Sequence, residues 1–365
     1  MKINAHTSNH QLLTDIDAVN NNYLTVISID LSGNNLYNVP EWLNNLPNLK
    51  NIDLSNNNLS SLPDWFYCFD KLEHLTLNSN KFKHLSKSFE NYKKLESLLL
   101  GSNSLALLPD YICSLPNLLE LALENNNLVK ISNSIGNLKS IIRLDLAKNK
   151  LNSIPDSICE LDTLKFINLD HNLIKTLPDN FGLLKKLEFF TISQNELIEL
   201  PKTFGKLSSL KATFIKGNLL TDLPNNFNHL YNLVFLTLGG NQFNHFPEII
   251  CELMSLKKLS IEKNNITLIP ESISQLRNLT ELDFSENKIL TLPKTLKEIK
   301  TLKELNISGN IIDKKTYSSL PHINIINIDL NADKNQTNLS NTAKKNIFIQ
   351  LFILWFSTGT NLYYP

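Results

Sequence analysis

Four cysteines and eight histidines are the side chains of this 365-residue chain best suited to act as nucleophiles, bases or soft metal ligands. Their spacing argues against all three roles. The cysteines stand at positions 68, 113, 159 and 251, dozens of residues apart, whereas a disulfide or a metal site needs clustered sulfurs. Three of them repeat one local context ("YICSL", "SICEL", "IICEL") beside apolar residues, which reads as a small buried hydrophobe. Unpaired cysteines fit a reducing compartment. The histidines, His74 and His171 among them, lie on or beside strands without ligand spacing and read as surface residues. Ten glycines build no G-x-G-x-x-G and no G-K-[ST] phosphate loop. No catalytic residue, cofactor, metal or small-molecule substrate is expected, and the chain reads as non-enzymatic.

A pattern emerges only when the asparagines that end short apolar strands are aligned. Asn34, Asn57, Asn80 and their successors to Asn310 recur every 23 residues, twelve times in succession. Around each lies L-x-x-L-x-L-x-x-N-x-L, as in Leu118, Leu121, Leu123, Asn126 and Leu128. The fourth and sixth positions point inward from a short parallel strand, and the first and eleventh close the core at its ends. Asparagine can donate and accept, so stacked Asn side chains can satisfy backbone groups at the turn that no sheet partner reaches. Each repeat continues L-P-x-x-I/F-x-x-L, as in "LPDNFGLL", where proline fixes the returning segment and Leu177, Phe181 and Leu184 face the core. Ser86 and Ser132 replace that proline. One repeat cannot bury its own apolar residues; stacking makes one continuous core.

These residues resemble the leucine-rich repeat family, in particular its 23-residue class with L-P-x-x-I-x-x-L on the convex side. Plant Ras-group-related proteins and animal cytosolic scaffolds belong to that class. The resemblance implies an α/β repeat fold: a curved horseshoe solenoid with a parallel sheet on its concave face, serving as a protein-binding platform. The expected divisions are an N-terminal cap (1–23, with Leu13, Ile16 and Tyr23 in weak register), a solenoid (24–330) of thirteen full repeats plus a terminal half-repeat, a polar linker (331–346), and a hydrophobic C-terminal tail (347–365). Too few residues follow the last strand for an appended catalytic domain.

The strand face should carry the function. Its outward third, fifth and seventh positions hold eleven acids, among them Asp145, Asp170, Glu262, Glu281 and Asp329, against the bases Arg143, Lys216 and Lys258. The whole chain balances thirty-five bases with thirty-five acids, so nucleic acid is not an expected ligand. Phe166, Phe189 and Phe235 hold the third position of nearby repeats and Phe214 the fifth, so strands about 4.8 Å apart should join them into one exposed patch. Thr213 stands where Leu is usual. A bulge that turned Phe214 inward is the alternative, though the fixed spacing from Leu210 to Asn218 leaves little slack. The expected partner-binding set is therefore Phe166, Phe189, Phe214 and Phe235, ringed by Arg143, Asp145, Asp170 and Lys216.

The partner is expected to be a protein, with a Ras-like small GTPase or another signalling protein implied by the resemblance. The amino terminus lacks the apolar core of a signal peptide, which points to the cytoplasm. The alternative is the repeat domain of a bacterial effector delivered into a host cell. In the tail, "IFIQLFILWF" (347–356) spans about 15 Å as a helix, half a bilayer's hydrocarbon core. Docking over the open end of the solenoid is favoured there over insertion into a membrane surface beside Lys344 and Lys345.

Overall fold

The structure is a computed structural model that describes residues 1–312, Leu320 and residues 323–326. Each repeat begins with a short strand whose middle residue faces inward and, with the exception of Thr213, is apolar, as in the strand Arg143–Asp145. From Val26–Asp30 to Glu304–Asn306 successive strands pair in parallel with residues 23 apart as direct partners, such as Ile29 with Ile52, Leu121 with Leu144 and Leu144 with Ile167; the last pair, Leu305 with Ile325, is 20 apart. Among the described residues the strands form one open sheet of sixteen, laid down in chain order from β3 (Val26–Asp30) to Asn324–Ile326. The inward fourth and sixth positions, such as Leu144 and Leu146, are wholly buried.

The returning segments are short 3-10 helices rather than α-helices. In Asp156–Glu160 the preceding Pro155 occupies the N-cap in extended conformation. Its carbonyl accepts the Ile158 N–H, and its fixed φ sets the turn without needing a donor of its own. Where serine replaces proline, the hydroxyl supplies what the ring cannot: Ser86 accepts the Ser88 N–H and Ser132 the Ser134 N–H. Phe181, Phe204 and Phe227 stack in successive helices with their rings within 5° of parallel.

The asparagines do what their chemistry suggests. Asn172 donates to the carbonyls of Leu146 (3.0 Å), Leu169 (3.0 Å) and Asp170 (3.3 Å), and accepts the Leu151 N–H (3.0 Å). Equivalent bonds recur from Asn57 to Asn310 and tie each of these turns to the repeat before it, whereas Asn34, at the first turn, bonds the Lys2 backbone instead. The residue preceding it is left-handed throughout: Lys148, His171 and Gln194 have φ of 53°, 55° and 56°, and Gly217 and Gly240 take the same place. A second ladder runs along the opposite edge, ahead of the strands. There Asn117, Ser140 and Thr163 each donate to a carbonyl of the preceding repeat, at 2.8, 3.0 and 2.9 Å.

At the N-terminal end, where the sequence suggests a cap over residues 1–23, the sheet continues in antiparallel strands. β1 (Asn4–Thr7) runs antiparallel to β3, and β2 (Leu12–Leu13) antiparallel to β1, so a hairpin closes this end of the sheet. A short helix, α1 (Ile16–Asn21), follows, with Asp15 accepting the Ala18 N–H. Leu13 is buried, but Ile16 and Tyr23 are exposed, because the core facing this end is covered by Ile3, Ala5, Leu13 and Val19 instead. Three cysteines are buried as expected, while Cys68 is exposed. The readings of the 331–346 linker and the 347–365 tail, and the acid Asp329, lie outside the described residues.

Candidate functional site

On the concave face, register turns sequence positions into rows running across the strands. The third-position row reads Glu120, Arg143, Phe166, Phe189, Ala212, Phe235, Lys258 and Glu281, each the direct partner of the next. Three of the four phenylalanines thus lie in one line, with Ala212 between Phe189 and Phe235. A cation closes the row at either end. The Arg143 guanidinium lies 4.4 Å from the centre of the Phe166 ring, and the Lys258 ammonium 5.9 Å from that of Phe235. Each cation is in turn held by the carboxylate beyond it, Arg143 by Glu120 at 3.2 Å and Lys258 by Glu281 at 2.6 Å.

Phe214 sits one row over, between Thr191 and Thr237. No bulge turns it inward: Thr213 takes the core position in regular pairing with Phe190 and Leu236. Thr213 is fully buried, and its hydroxyl has no hydrogen-bond partner among the described residues. Phe190, one strand earlier, also replaces the usual leucine at that position, and its ring meets Phe181 and Phe204. A smaller residue beside it suits the space that remains. Thr213→Val is expected to raise stability by about 1–2 kcal/mol, because it removes a buried unpaired hydroxyl without changing shape. A denaturant midpoint no higher than wild type contradicts this.

The four rings are half-buried, not largely exposed as the sequence suggests. With strands about 4.8 Å apart, large neighbouring side chains shield one another, and Ala212 in the middle of the row is wholly buried.

Several acids of this face also differ from expectation, because backbone groups claim them. The fifth-position carboxylates accept the N–H two residues on: Asp53 from Ser55 (2.8 Å), Asp145 from Ala147 (3.1 Å) and Asp283 from Ser285 (2.9 Å). They shape the strand's exit, so the acid count overstates the charge offered to a ligand. Lys216 reaches across a whole repeat to Glu262 at 2.6 Å, over Gly239, where a Cβ would collide with the Glu262 carboxylate. Burial pushes the Glu262 carboxyl up, but the bonds from Lys216 and Ser260 outweigh it and hold the group below its usual range.

Asp170 is the clearest correction. It is buried, accepting the Thr191 hydroxyl and the Ser193 N–H of the next repeat, and is not poised to meet a partner. Burial pushes its carboxyl up to about 6, against the two hydrogen bonds, with the Asp145 charge adding to the rise. The folded group therefore ionises less readily than the unfolded one, and stability should fall as pH rises from about 4 to about 6 and then level off. Asp170→Asn keeps the accepting oxygen and removes the buried charge. It should leave stability unchanged near pH 4 and raise it by roughly 3 kcal/mol at pH 8. Urea melts at the two pH values check this, and an equal gain at both would contradict it.

Among the described residues no three His, Cys, Asp or Glu side chains are placed to hold a metal ion, and no helix is long and apolar enough to cross a membrane. What the site offers is an aromatic row pinned at both ends by cations. Sequence spacing located its residues; the seating of Arg143 and the part played by Lys258 emerged only from register.

Comparison with known proteins agrees with this architecture. The family model for the leucine-rich repeat matches residues 25–82, 139–197 and 254–312. No curated protein matches the chain in a sequence search. Among solved structures, a leucine-rich repeat protein of Leptospira interrogans is 27% identical, with 85% of this chain and 98% of that one covered and a TM-score of 0.63. An internalin of Listeria monocytogenes is 20% identical, covers 88% and 91%, and superposes with a TM-score of 0.76. The ectodomain of an Arabidopsis thaliana membrane receptor kinase, solved in complex with Casparian strip integrity factor 2, is 26% identical over 83% of this chain and 42% of that one, at a TM-score of 0.66. Repeat spacing, sheet, asparagine ladder and family match all lead to one assignment: the chain is a leucine-rich repeat protein.

Proposed function

We propose that the protein is a non-enzymatic binding module that holds a protein partner on its concave face, with Phe166, Phe189 and Phe235 at the centre of the contact. The observation that carries this is the aromatic row itself. Polar residues suffice on the outer face of a repeat sheet, yet here three rings share one line and charged pairs enclose it. Aromatic anchors ringed by polar groups have the anatomy of a binding hot spot. Rings already packed against neighbours lose little side-chain freedom on binding. The Arabidopsis ectodomain, similar in fold and solved with its ligand, supports a protein or peptide partner in general terms. A signalling protein such as a small GTPase is the narrower reading, and it rests on the repeat type. The four free cysteines favour a partner met in a reducing compartment.

Substituting Phe166, Phe189 or Phe235 by Ala should weaken partner binding by about 1–3 kcal/mol for at least one of them. Because the rings are half-buried, each substitution should also cost folding stability, by about 1 kcal/mol. Partners captured by the intact protein and then titrated against the three variants provide the measurement. Unchanged affinity in all three would remove the row from the binding site.

A further inference from the structure

The aromatic row has a basic edge. Just ahead of each ring stands the second position of its repeat, and backbone bonds set these residues in line where the chain enters the sheet. Glu188 donates its N–H to the Lys165 carbonyl (2.9 Å), Lys211 to Glu188 (2.9 Å), Val234 to Lys211 (2.8 Å) and Lys257 to Val234 (2.9 Å). Thr280 and Lys303 continue the line. Lysine thus returns at every second repeat: Lys165, Lys211, Lys257 and Lys303 are each 46 residues from the next. Two strand intervals put neighbouring lysines about 9.6 Å apart.

The charge of this edge is only partly spent. Glu188 pairs with Lys165 at 3.8 Å and with Lys211 more closely, so one carboxylate is shared between two ammonium groups. Lys257 is exposed and makes no ion pair among the described residues. Lys185 and Lys186 stand exposed at the turn just ahead of Glu188 and add to the positive field. Farther on, the exposed Glu304 offsets Lys303, which leaves the charge concentrated beside the rings. On the other side of the rings the carboxylates are already taken, Asp170 by Thr191 and Ser193, and Glu262 by Lys216 and Ser260.

We infer that the partner held on the rings is acidic. It sets a stripe of carboxylates against Lys165, Lys211 and Lys257, and beside it a stripe of apolar side chains on Phe166, Phe189 and Phe235. An amphipathic helix laid across the strands has this form, because it returns to one face every seven residues, about 10.5 Å, close to the spacing of the lysines. Polyanions of other kinds fit less well. A phosphate chain following the row would run onto Glu120 at one end and Glu281 at the other, and a flat membrane does not enter a concave face. This rests on reading the row as a contact surface.

The test uses the full chain and two fluorescent synthetic helices of about twenty residues, both with a leucine stripe. One carries glutamate at every seventh position of the neighbouring stripe, the other lysine. Anisotropy should show the glutamate peptide binding about ten-fold or more tightly at low salt, a gap that closes in about 1 M salt. This comparison uses the unaltered protein, so folding does not enter. Lys211→Glu with Lys257→Glu, both at exposed positions, should reverse the preference. Glu188→Gln releases Lys165 and Lys211 and should tighten the glutamate peptide by about two-fold or more. Equal affinity for the two peptides, no binding of either at about 1 mM, or tighter binding of oligothymidylate or phosphatidylserine vesicles would overturn the inference. If single alanine variants of the three phenylalanines weaken the glutamate peptide while the lysine reversal does not, the charge inference falls alone. If those alanine variants bind it at full strength, the reading of the row falls as well.

Discussion

Leu144→Ala is expected to cost about 2–5 kcal/mol, the range for truncating a fully buried leucine. Leu144 is wholly buried, at the middle of a strand paired to Leu121 on one side and Ile167 on the other. The void left behind cannot collapse easily, because the backbone of each neighbouring repeat is fixed by its own ladder bonds. Long repeat arrays can unfold in parts, so a single melting temperature is a poor readout. Native-state hydrogen exchange is the better one. Amides of the strands beside Leu144 should exchange faster, while those near Leu282 keep their rates. A loss under about 1 kcal/mol at the neighbouring strands would mean the register described here is wrong.

The second large effect concerns an amide rather than a methyl group. Asn172→Ala should cost about 1–3 kcal/mol, and the bonding pattern says where the cost arises. The three carbonyls that Asn172 serves each keep another donor: Leu146 has Asn149, Leu169 has Asn195 and Asp170 has the Lys148 N–H. The Leu151 N–H has no such reserve in the ladder, since it is the Asn172 carbonyl oxygen that accepts it. Most of the penalty should therefore come from one orphaned donor. Asn172→Asp separates the two functions, because an accepting oxygen remains while the donors vanish. Its buried carboxyl would face three carbonyl oxygens, so its folded pKa would lie above the unfolded one. The damage should then be small at low pH and grow as pH rises above about 4. An equal cost for Asn172→Asp across the pH range would contradict this account.

The architecture was legible in the sequence because repetition amplifies a weak signal. One L-x-x-L-x-L says little, but thirteen asparagines in register fix strand, turn and core positions together. The N-terminal hairpin was not legible, since Ala5 belongs to no period, Leu13 only weakly to one, and the pairing of β1 depends on a strand farther along the chain. The aromatic row was half legible. Spacing placed Phe166, Phe189 and Phe235 in line, but nothing in the spacing of Asp170 shows that Thr191 and Ser193 of the next repeat would claim its carboxylate. Charge counted along the chain ignores backbone donors, and on this face those donors take up several of the acids. Lys216 illustrates the same limit, for its partner Glu262 lies 46 residues away, two repeats on.

The asparagine ladder also constrains how such a chain can change its length. Each of its bonds joins residues at fixed offsets within one repeat or to the repeat before it. Excising 23 consecutive residues anywhere between two equivalent turns would return every donor to an equivalent acceptor, and the shortened arc would close over the gap. Excising one residue fewer or one more would throw every later asparagine out of phase with the turn before it. The protein is thus quantised in length: its inner surface can gain or lose whole strips about 4.8 Å wide, and nothing smaller.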